Sequence, residues 1–90
     1  MYKIVPSNRF KKDLKLALKR NQNISKLQKV IDILASGESL AETYKDHFLT
    51  GNYTGFRECH VAPDWLLIYR IEEDELLLFL FRTGTHSDLF

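Results

Sequence analysis

The stretch WLLIYRIEEDELLLFLFR (residues 65–82) decides the fold, because two apolar runs flank a short acidic segment. Residues 65–71 are almost entirely apolar, which is typical of a central strand covered on both faces. The acidic segment EEDE (72–75) has the polarity of a hairpin loop, and LLLFLFR (76–82) follows it as the returning strand. The sequence therefore predicts an antiparallel β-hairpin within the sheet.

Residues 56–61 predict a further strand immediately before this hairpin. Successive side chains in an extended segment point to opposite faces, so Phe56, Glu58 and His60 should share one face. The dipeptide Ala62-Pro63 then predicts the turn into the central strand.

The first 37 residues predict a short strand and two helices. YKIV (2–5) is the strand, and Pro6 should end it because proline has no amide hydrogen for the ladder. Apolar residues at i, i+4, i+7 and i+8 then predict the buried face of the first helix: Phe10, Leu14, Ala17 and Leu18. Ser25 is expected to cap the second helix, and Gly37 to end it.

The fold class that follows is α+β, with the element order β-α-α-β-β-β. Two N-terminal helices should pack on a small twisted antiparallel sheet, and a short C-terminal tail should follow. We expect one domain over residues 1–90, because a chain of this size can bury one modest core. Residues 38–55 are expected to be irregular.

The formal net charge of +1 conceals an uneven distribution of charge. Residues 1–30 carry nine basic side chains and one acidic side chain, whereas residues 31–90 carry four basic and eleven acidic ones. The basic part is a candidate contact for an RNA backbone, particularly through four lysines of the first helix: Lys11, Lys12, Lys15 and Lys19. The alternative is an ordinary solvated helix surface.

Cysteine content and hydropathy point to the cytoplasm. The single cysteine, Cys59, cannot form an internal disulfide, which suits a reducing compartment. No apolar run reaches the roughly 20 residues of a membrane helix, and the N-terminus lacks the apolar region of a signal peptide. We therefore expect no membrane association.

The hairpin predicts where the polar side chains meet. If the two strands pair around residues 72–73, Asp64 lies opposite Arg82. The turn places His60 beside Trp65 at the same end, and a bend at Gly84 can return the chain to this end. The strand ends should thus bring one set of side chains to a common rim: His60, Asp64, Trp65, Arg82 and His86.

Two further residues can join this rim. His47 lies in the irregular segment and is free to approach it, and Phe90 follows the bend after the last strand. Trp65 and Phe90 would offer flat faces on which a base can stack.

This set of residues suits cleavage of an RNA phosphodiester bond. Attack by a 2′-hydroxyl on the adjacent phosphorus needs a base, an acid and positive charge near the phosphate. Two histidines can divide the acid and base roles near neutral pH, and Arg82 can clamp a phosphate through two nitrogens. Each residue also has a structural interpretation: Trp65 can belong to the core, and Asp64 with Arg82 can be a simple cross-strand ion pair.

The assembled motifs resemble the RelE/ParE superfamily of toxins, and within it the YafQ-type branch. The resemblance rests on YKDHFLTGNYTGFRECHVAPDWLLIYRI (44–71) and LFRTGTHSDLF (80–90), and it covers nearly the whole chain. It implies a ribosome-dependent endoribonuclease that cuts mRNA without a metal or other cofactor and is neutralised by a DinJ-like antitoxin. It also implies the active-site residues: His47, His60, Asp64, Trp65, Arg82, His86 and Phe90.

One departure from this family pattern concerns the segment around His47. Phe48 occupies a position that is often proline in the family, and this exchange is expected to alter how His47 is held.

Two other functions stay open at this point. A non-enzymatic, ParE-like toxin directed at gyrase would share the fold without needing the histidines. Alternatively, His47, His60, His86 and Asp64 could hold zinc, although the charge of Arg82 in the same cluster would oppose a cation.

Overall fold

The computed structural model describes all 90 residues as a five-stranded mixed sheet with three helices. The strands are β1 (Lys3–Pro6), β2 (His47–Phe48), β3 (Arg57–Ala62), β4 (Trp65–Glu72) and β5 (Leu77–Gly84). The helices are α1 (Asn8–Lys19), α2 (Ile24–Ala35) and α3 (His86–Leu89), with single 3-10 turns at Glu42–Tyr44 and Gly51–Tyr53. The strand order is β1-β5-β4-β3-β2, which puts β4 at the centre. None of the helices combines the length and hydropathy needed to span a membrane.

The central strand β4 is covered on both faces, as its sequence predicts. Leu67 and Tyr69 belong to the larger apolar cluster, which contains the buried side chains of α1 and α2. Leu66 and Ile68, which alternate with them, belong to a smaller cluster with Leu89 of α3. Since neighbouring residues of a strand point to opposite faces, α1 and α2 cover one face, and α3 with the loops covers part of the other.

The sheet is not purely antiparallel, and this corrects the sequence-based expectation. β1 pairs with β5 in parallel, from Lys3 opposite Leu77 to Pro6 opposite Leu80. Pro6 is therefore part of the strand, which is tolerated because β1 lies at the sheet edge.

Two details of the helices also differ from the predictions. Asn23, rather than Ser25, caps α2, since the Asn23 side chain accepts a hydrogen bond from the Ser25 backbone nitrogen at 3.2 Å. Leu18 is 56% exposed, because the buried face of α1 centres on Phe10 and Ala17.

The register of the β4–β5 hairpin differs most from the prediction. Glu72 pairs with Leu77, so the turn is wider than a pairing around residues 72–73 allows. A bulge then inserts Phe81 as an extra residue on β5, and Arg82 pairs with Ile68. The predicted position of Asp64 opposite Arg82 is therefore wrong, since Asp64 lies in the turn between β3 and β4.

The predicted C-terminal tail is ordered into the single turn α3. Thr85 and Asp88 form a reciprocal capping box, in which each side chain accepts a hydrogen bond from the backbone of the other residue. Leu89 is buried in the smaller apolar cluster, so α3 is held against the sheet.

Candidate active site

The candidate site lies at one end of the sheet, on the face opposite α1 and α2. Glu58 and His60 alternate with the core residues Cys59 and Val61 along β3, so their side chains point away from the two long helices. His86 reaches the same place from α3: its ring lies edge-on to that of His60, with 5.7 Å between the ring centroids. This arrangement brings together two imidazoles that are 26 residues apart in the sequence.

Asp64 holds His86 by two hydrogen bonds. One Asp64 carboxylate oxygen, Oδ1, lies 2.6 Å from His86 Nδ1 and accepts the His86 backbone N–H at 3.0 Å. These bonds, led by the backbone one, lower the pKa of Asp64, so the carboxylate is charged near neutral pH. An ionised carboxylate only accepts hydrogen bonds, so Nδ1 carries the proton and Nε2 of His86 is left for chemistry.

Glu58 is a buried carboxylate that the sequence-based site did not include. Its side chain is only 7% exposed, and its Oε1 lies 3.4 Å from His47 Nε2 and 3.8 Å from His60 Nε2. β2 and β3 pair His47 directly with Glu58, which explains the first of these contacts. The sequence does contain a signal for Glu58. It lies two positions before His60 in a predicted strand, so the two side chains share a face.

Arg82 does not contact Asp64 or the histidines. Its Nε and Nη2 donate hydrogen bonds to Asp13 of α1, at 2.8 and 3.1 Å. These bonds raise the pKa of Arg82, which stays charged. Asp13 engages one N–H of each of these two nitrogens, so three of the five guanidinium N–H groups, two on Nη1 and one on Nη2, are not bonded to Asp13.

Asp13 also binds the backbone of β5 at Thr83, the residue after Arg82. β1 ends at Pro6, opposite Leu80, so β5 has no strand partner further along that edge. Asp13 replaces the missing partner by accepting the Thr83 backbone N–H at 3.1 Å.

Trp65 lies in the core rather than at the rim. It is only 2% exposed, and its indole nitrogen donates a hydrogen bond of 2.9 Å to the buried Thr83 hydroxyl. The prediction that Trp65 offers a face for base stacking is therefore wrong. Phe90, in contrast, is 62% exposed, and its ring makes a T-shaped contact with the Tyr53 ring, with 5.3 Å between the centroids.

The histidines and carboxylates do not form a metal centre in this arrangement. No three side chains among His, Cys, Asp and Glu are grouped closely enough to hold a metal ion. His47 Nδ1 is instead 2.6 Å from the Lys45 carbonyl oxygen, and His86 Nδ1 is bonded to Asp64.

Comparison with known proteins identifies a single family. Residues 2–90 match the model of the family described as bacterial toxin of type II toxin-antitoxin system, YafQ. The mRNA interferase toxin YafQ of Escherichia coli K12 is 46% identical over 85 residues, which cover 93% of this chain and 90% of that protein.

Solved structures support the same relationship. The crystal structure of the Escherichia coli DinJ–YafQ complex matches with a TM-score of 0.90 and 42% identity, covering 100% of this chain and 99% of that one. The crystal structure of a metal-bound toxin from Helicobacter pylori matches with a TM-score of 0.93 and 48% identity over the whole of both chains.

The position of His86 depends on α3, which Asp88 ties to α1. Arg20 donates hydrogen bonds of 2.7 and 3.3 Å to the two Asp88 oxygens, and the Thr85 backbone N–H donates another at 2.9 Å. These bonds hold the pKa of Asp88 at about 2, below its ordinary value.

We expect Asp88→Asn to lower the free energy of unfolding at neutral pH. Because the pKa of Asp88 is depressed in the folded state, its stabilising contribution is present above the ordinary value of about 3.9 and is lost as the pH falls towards about 2. Urea unfolding of both proteins between about pH 7 and about pH 2 should show their difference shrinking over that interval.

Asp74→Asn, in the exposed β4–β5 turn, is the matched control. Its free energy of unfolding should stay close to that of the wild type at every pH. A stability difference for Asp88→Asn that stays constant through the acid range would contradict the assigned ion pair.

Proposed function

The chain belongs to the YafQ family of bacterial toxins of type II toxin-antitoxin systems, and we propose that it cleaves translated mRNA on the ribosome without a metal. Its relatives are named mRNA interferases, so endoribonuclease activity is the expected chemistry of this toxin domain, residues 1–90. Translated mRNA is cytoplasmic, and the proposal places the protein there.

The observation that carries this proposal is the pair formed by His60 and His86. Their ring centroids are 5.7 Å apart, and each imidazole lies beside a carboxylate, Glu58 or Asp64. Two histidines at this separation can act on the two sides of one phosphodiester group, one as base and one as acid.

The reaction needs only proton transfers and one displacement at phosphorus. One histidine removes the proton of the ribose 2′-hydroxyl as that oxygen attacks the adjacent phosphorus. The bond from phosphorus to the 5′-oxygen breaks, and the second histidine gives that oxygen a proton. The products are a 2′,3′-cyclic phosphate and a 5′-hydroxyl end.

The other site residues have supporting roles in this proposal. Arg82 offers its charge and the N–H groups that Asp13 does not engage to the phosphate, while the exposed ring of Phe90 stacks on a base. His47 is placed at the site through Glu58, where it can join the proton transfers.

Two rival mechanisms make different predictions. A non-enzymatic, ParE-like toxin would not depend on the imidazoles, whereas the named activity of the relatives favours a nuclease. A metal-dependent reaction would be abolished by a chelator and restored by one particular cation. We expect cleavage to be unchanged by a chelator, and its loss would overturn the metal-independent step.

His86→Ala should reduce ribosome-bound mRNA cleavage by a factor of about 10² to 10⁴, the usual contribution of a general acid or base. The same substitution should abolish growth arrest on expression without an antitoxin. Single-turnover cleavage and mapping of mRNA 5′ ends would measure both the rate and the cut position. Wild-type cleavage by a normally folded His86→Ala protein would remove His86 from the mechanism.

Ser87→Ala is the matched control for this experiment. Ser87 lies next to His86 in α3, is exposed, and makes no side-chain hydrogen bond within the protein. Its substitution should leave the cleavage rate within about twofold of wild type.

We further propose that the α1 lysines contact ribosomal RNA. All four are exposed, and three are spaced by four residues, which aligns them along one side of the helix: Lys11, Lys15 and Lys19, with Lys12 adjacent. Replacing all four with glutamine should weaken ribosome binding and flatten its salt dependence. An unchanged salt slope would assign them to the solvated surface.

The partner of this toxin in the proposal is a DinJ-like antitoxin, as in the solved Escherichia coli complex. An apolar groove of about 240 Å³ between β1, α1 and α2 is where we expect an antitoxin helix to dock. Apolar side chains of these three elements and of β5 line the groove: Ile4, Pro6, Phe10, Leu14, Ile24, Leu27, Ile31 and Leu80.

Ile4→Asp should weaken antitoxin binding, because an antitoxin helix in the groove would bury the new charge. Ile4 is already 40% exposed, so the fold should tolerate the change. Leu18→Asp is the control, since Leu18 is exposed on α1 and does not line the groove. Calorimetric titration with the co-encoded antitoxin would compare them, and equal dissociation constants would place the contact elsewhere.

A further inference from the structure

Asp46, which immediately precedes His47, lies in a polar network on the helix-bearing face of the sheet. It accepts hydrogen bonds from Arg57 Nε and Nη2 at 3.2 and 3.0 Å, and from the Tyr69 hydroxyl at 2.5 Å. Hydrogen bonding to Asp46 raises the pKa of Arg57, while burial and then Asp46 raise the pKa of Tyr69. Both groups therefore remain donors throughout the neutral range, and Asp46 stays connected to β3 and β4.

Phe48, on the other side of His47, contacts the same arginine. The Arg57 guanidinium carbon lies 4.2 Å from the centroid of the Phe48 ring, which is a cation–π contact. Both residues that flank His47 thus contact Arg57: Asp46 through its carboxylate and Phe48 through its ring. Because side chains alternate along an extended segment, His47 is directed to the opposite face, where Glu58 lies.

This double contact matters because β2 offers little restraint of its own. The strand has two residues and only two paired positions, His47 with Glu58 and Phe48 with Arg57. Lys45, two residues before His47, has a left-handed backbone with φ of 52°, and its carbonyl oxygen lies 2.6 Å from His47 Nδ1. A carbonyl oxygen only accepts, so Nδ1 carries the proton and Nε2 faces Glu58 at 3.4 Å.

We propose that Asp46 and Phe48 are positioning residues that set the orientation of the His47 ring by holding Arg57 between them. Neither side chain points towards the histidine pair, so both act through His47. The inference rests on the proposed function, because it assumes that His47 takes part in the cleavage.

The activity test uses Asp46→Asn, which removes the charge but preserves the size of the side chain. We expect the single-turnover rate on ribosome-bound mRNA to fall by about ten- to a hundredfold, the cost of misplacing a reacting group by about 1 Å. The affinity for the programmed ribosome should change by less than about twofold. Tyr2→Phe is the matched control, since it removes another hydroxyl–carboxylate hydrogen bond, from Tyr2 to Glu73 at 2.7 Å, outside the site.

A double-mutant cycle separates positioning from a general loss of stability. In a His47→Ala background, Asp46→Asn should cause no further loss of rate, because its effect passes through the missing ring. An equal loss in both backgrounds would overturn the inference. Phe48→Ala serves as the second variant if Asp46→Asn does not fold, since the Phe48 side chain is 69% exposed.

Nitrogen-15 NMR of the imidazoles gives a readout that does not depend on activity. In the wild type we expect His47 to hold its proton on Nδ1, and in Asp46→Asn or Phe48→Ala we expect a shifted tautomer population, with His86 signals unchanged. Unshifted His47 signals in both variants would overturn the inference. If His47→Ala alone cleaves at the wild-type rate, the proposed role of His47 fails, while the NMR signals still decide whether its neighbours position the ring.

Discussion

The burial of β4 on both of its faces is the constraint on which the rest of the structure depends. Leu67 and Tyr69 contact the cluster beneath the long helices, while Leu66 and Ile68 contact the cluster beneath α3. Truncating one such buried leucine typically costs about 2–5 kcal/mol, which is a large part of the roughly 5–15 kcal/mol that stabilises a small domain. Because both clusters share this strand, the position of α3, and with it His86, is coupled to the main core.

Acidic side chains hold the arginine and the histidines of the site in place. Asp64 orients His86, and Asp13 occupies Arg82. Glu58 is buried between two imidazoles, and its Oε1 lies 3.4 Å from His47 Nε2 and 3.8 Å from His60 Nε2. The geometry of the cleavage chemistry thus depends as much on where these carboxylates are fixed as on the histidines themselves.

The sequence predicted the main elements correctly because their signals are local. The apolar run of β4 and the period of two in β3 predict strands without knowledge of their neighbours. The parallel pairing of β1 with β5 joins residues more than 70 positions apart, and no local pattern encodes it. The hairpin register failed for a related reason: the bulge at Phe81 and the wide turn shift the pairing, and both depend on packing.

The same distinction applies to the site residues. The gathering of His60, Asp64 and His86 at one place requires only that β3 and β4 turn at Pro63 and that the chain bends after β5. The surroundings of Trp65 and Arg82 depend on contacts that the sequence pattern does not reveal. Trp65 finds a partner in Thr83 and becomes core, while Arg82 finds one in Asp13.

The pairing of Arg82 with Asp13 changes how positive charge reaches the phosphate. Both side chains are only 12–13% exposed, and breaking such an ion pair typically costs about 3–5 kcal/mol, because it leaves a buried charge without a partner. A phosphate therefore cannot readily replace Asp13, and it must approach the N–H groups of Nη1 and Nη2 that Asp13 does not engage. Seen from a distance, the charge of Asp13 offsets most of the guanidinium charge, so Arg82 acts on RNA only at close contact. Exposed cations such as the α1 lysines therefore provide the long-range attraction.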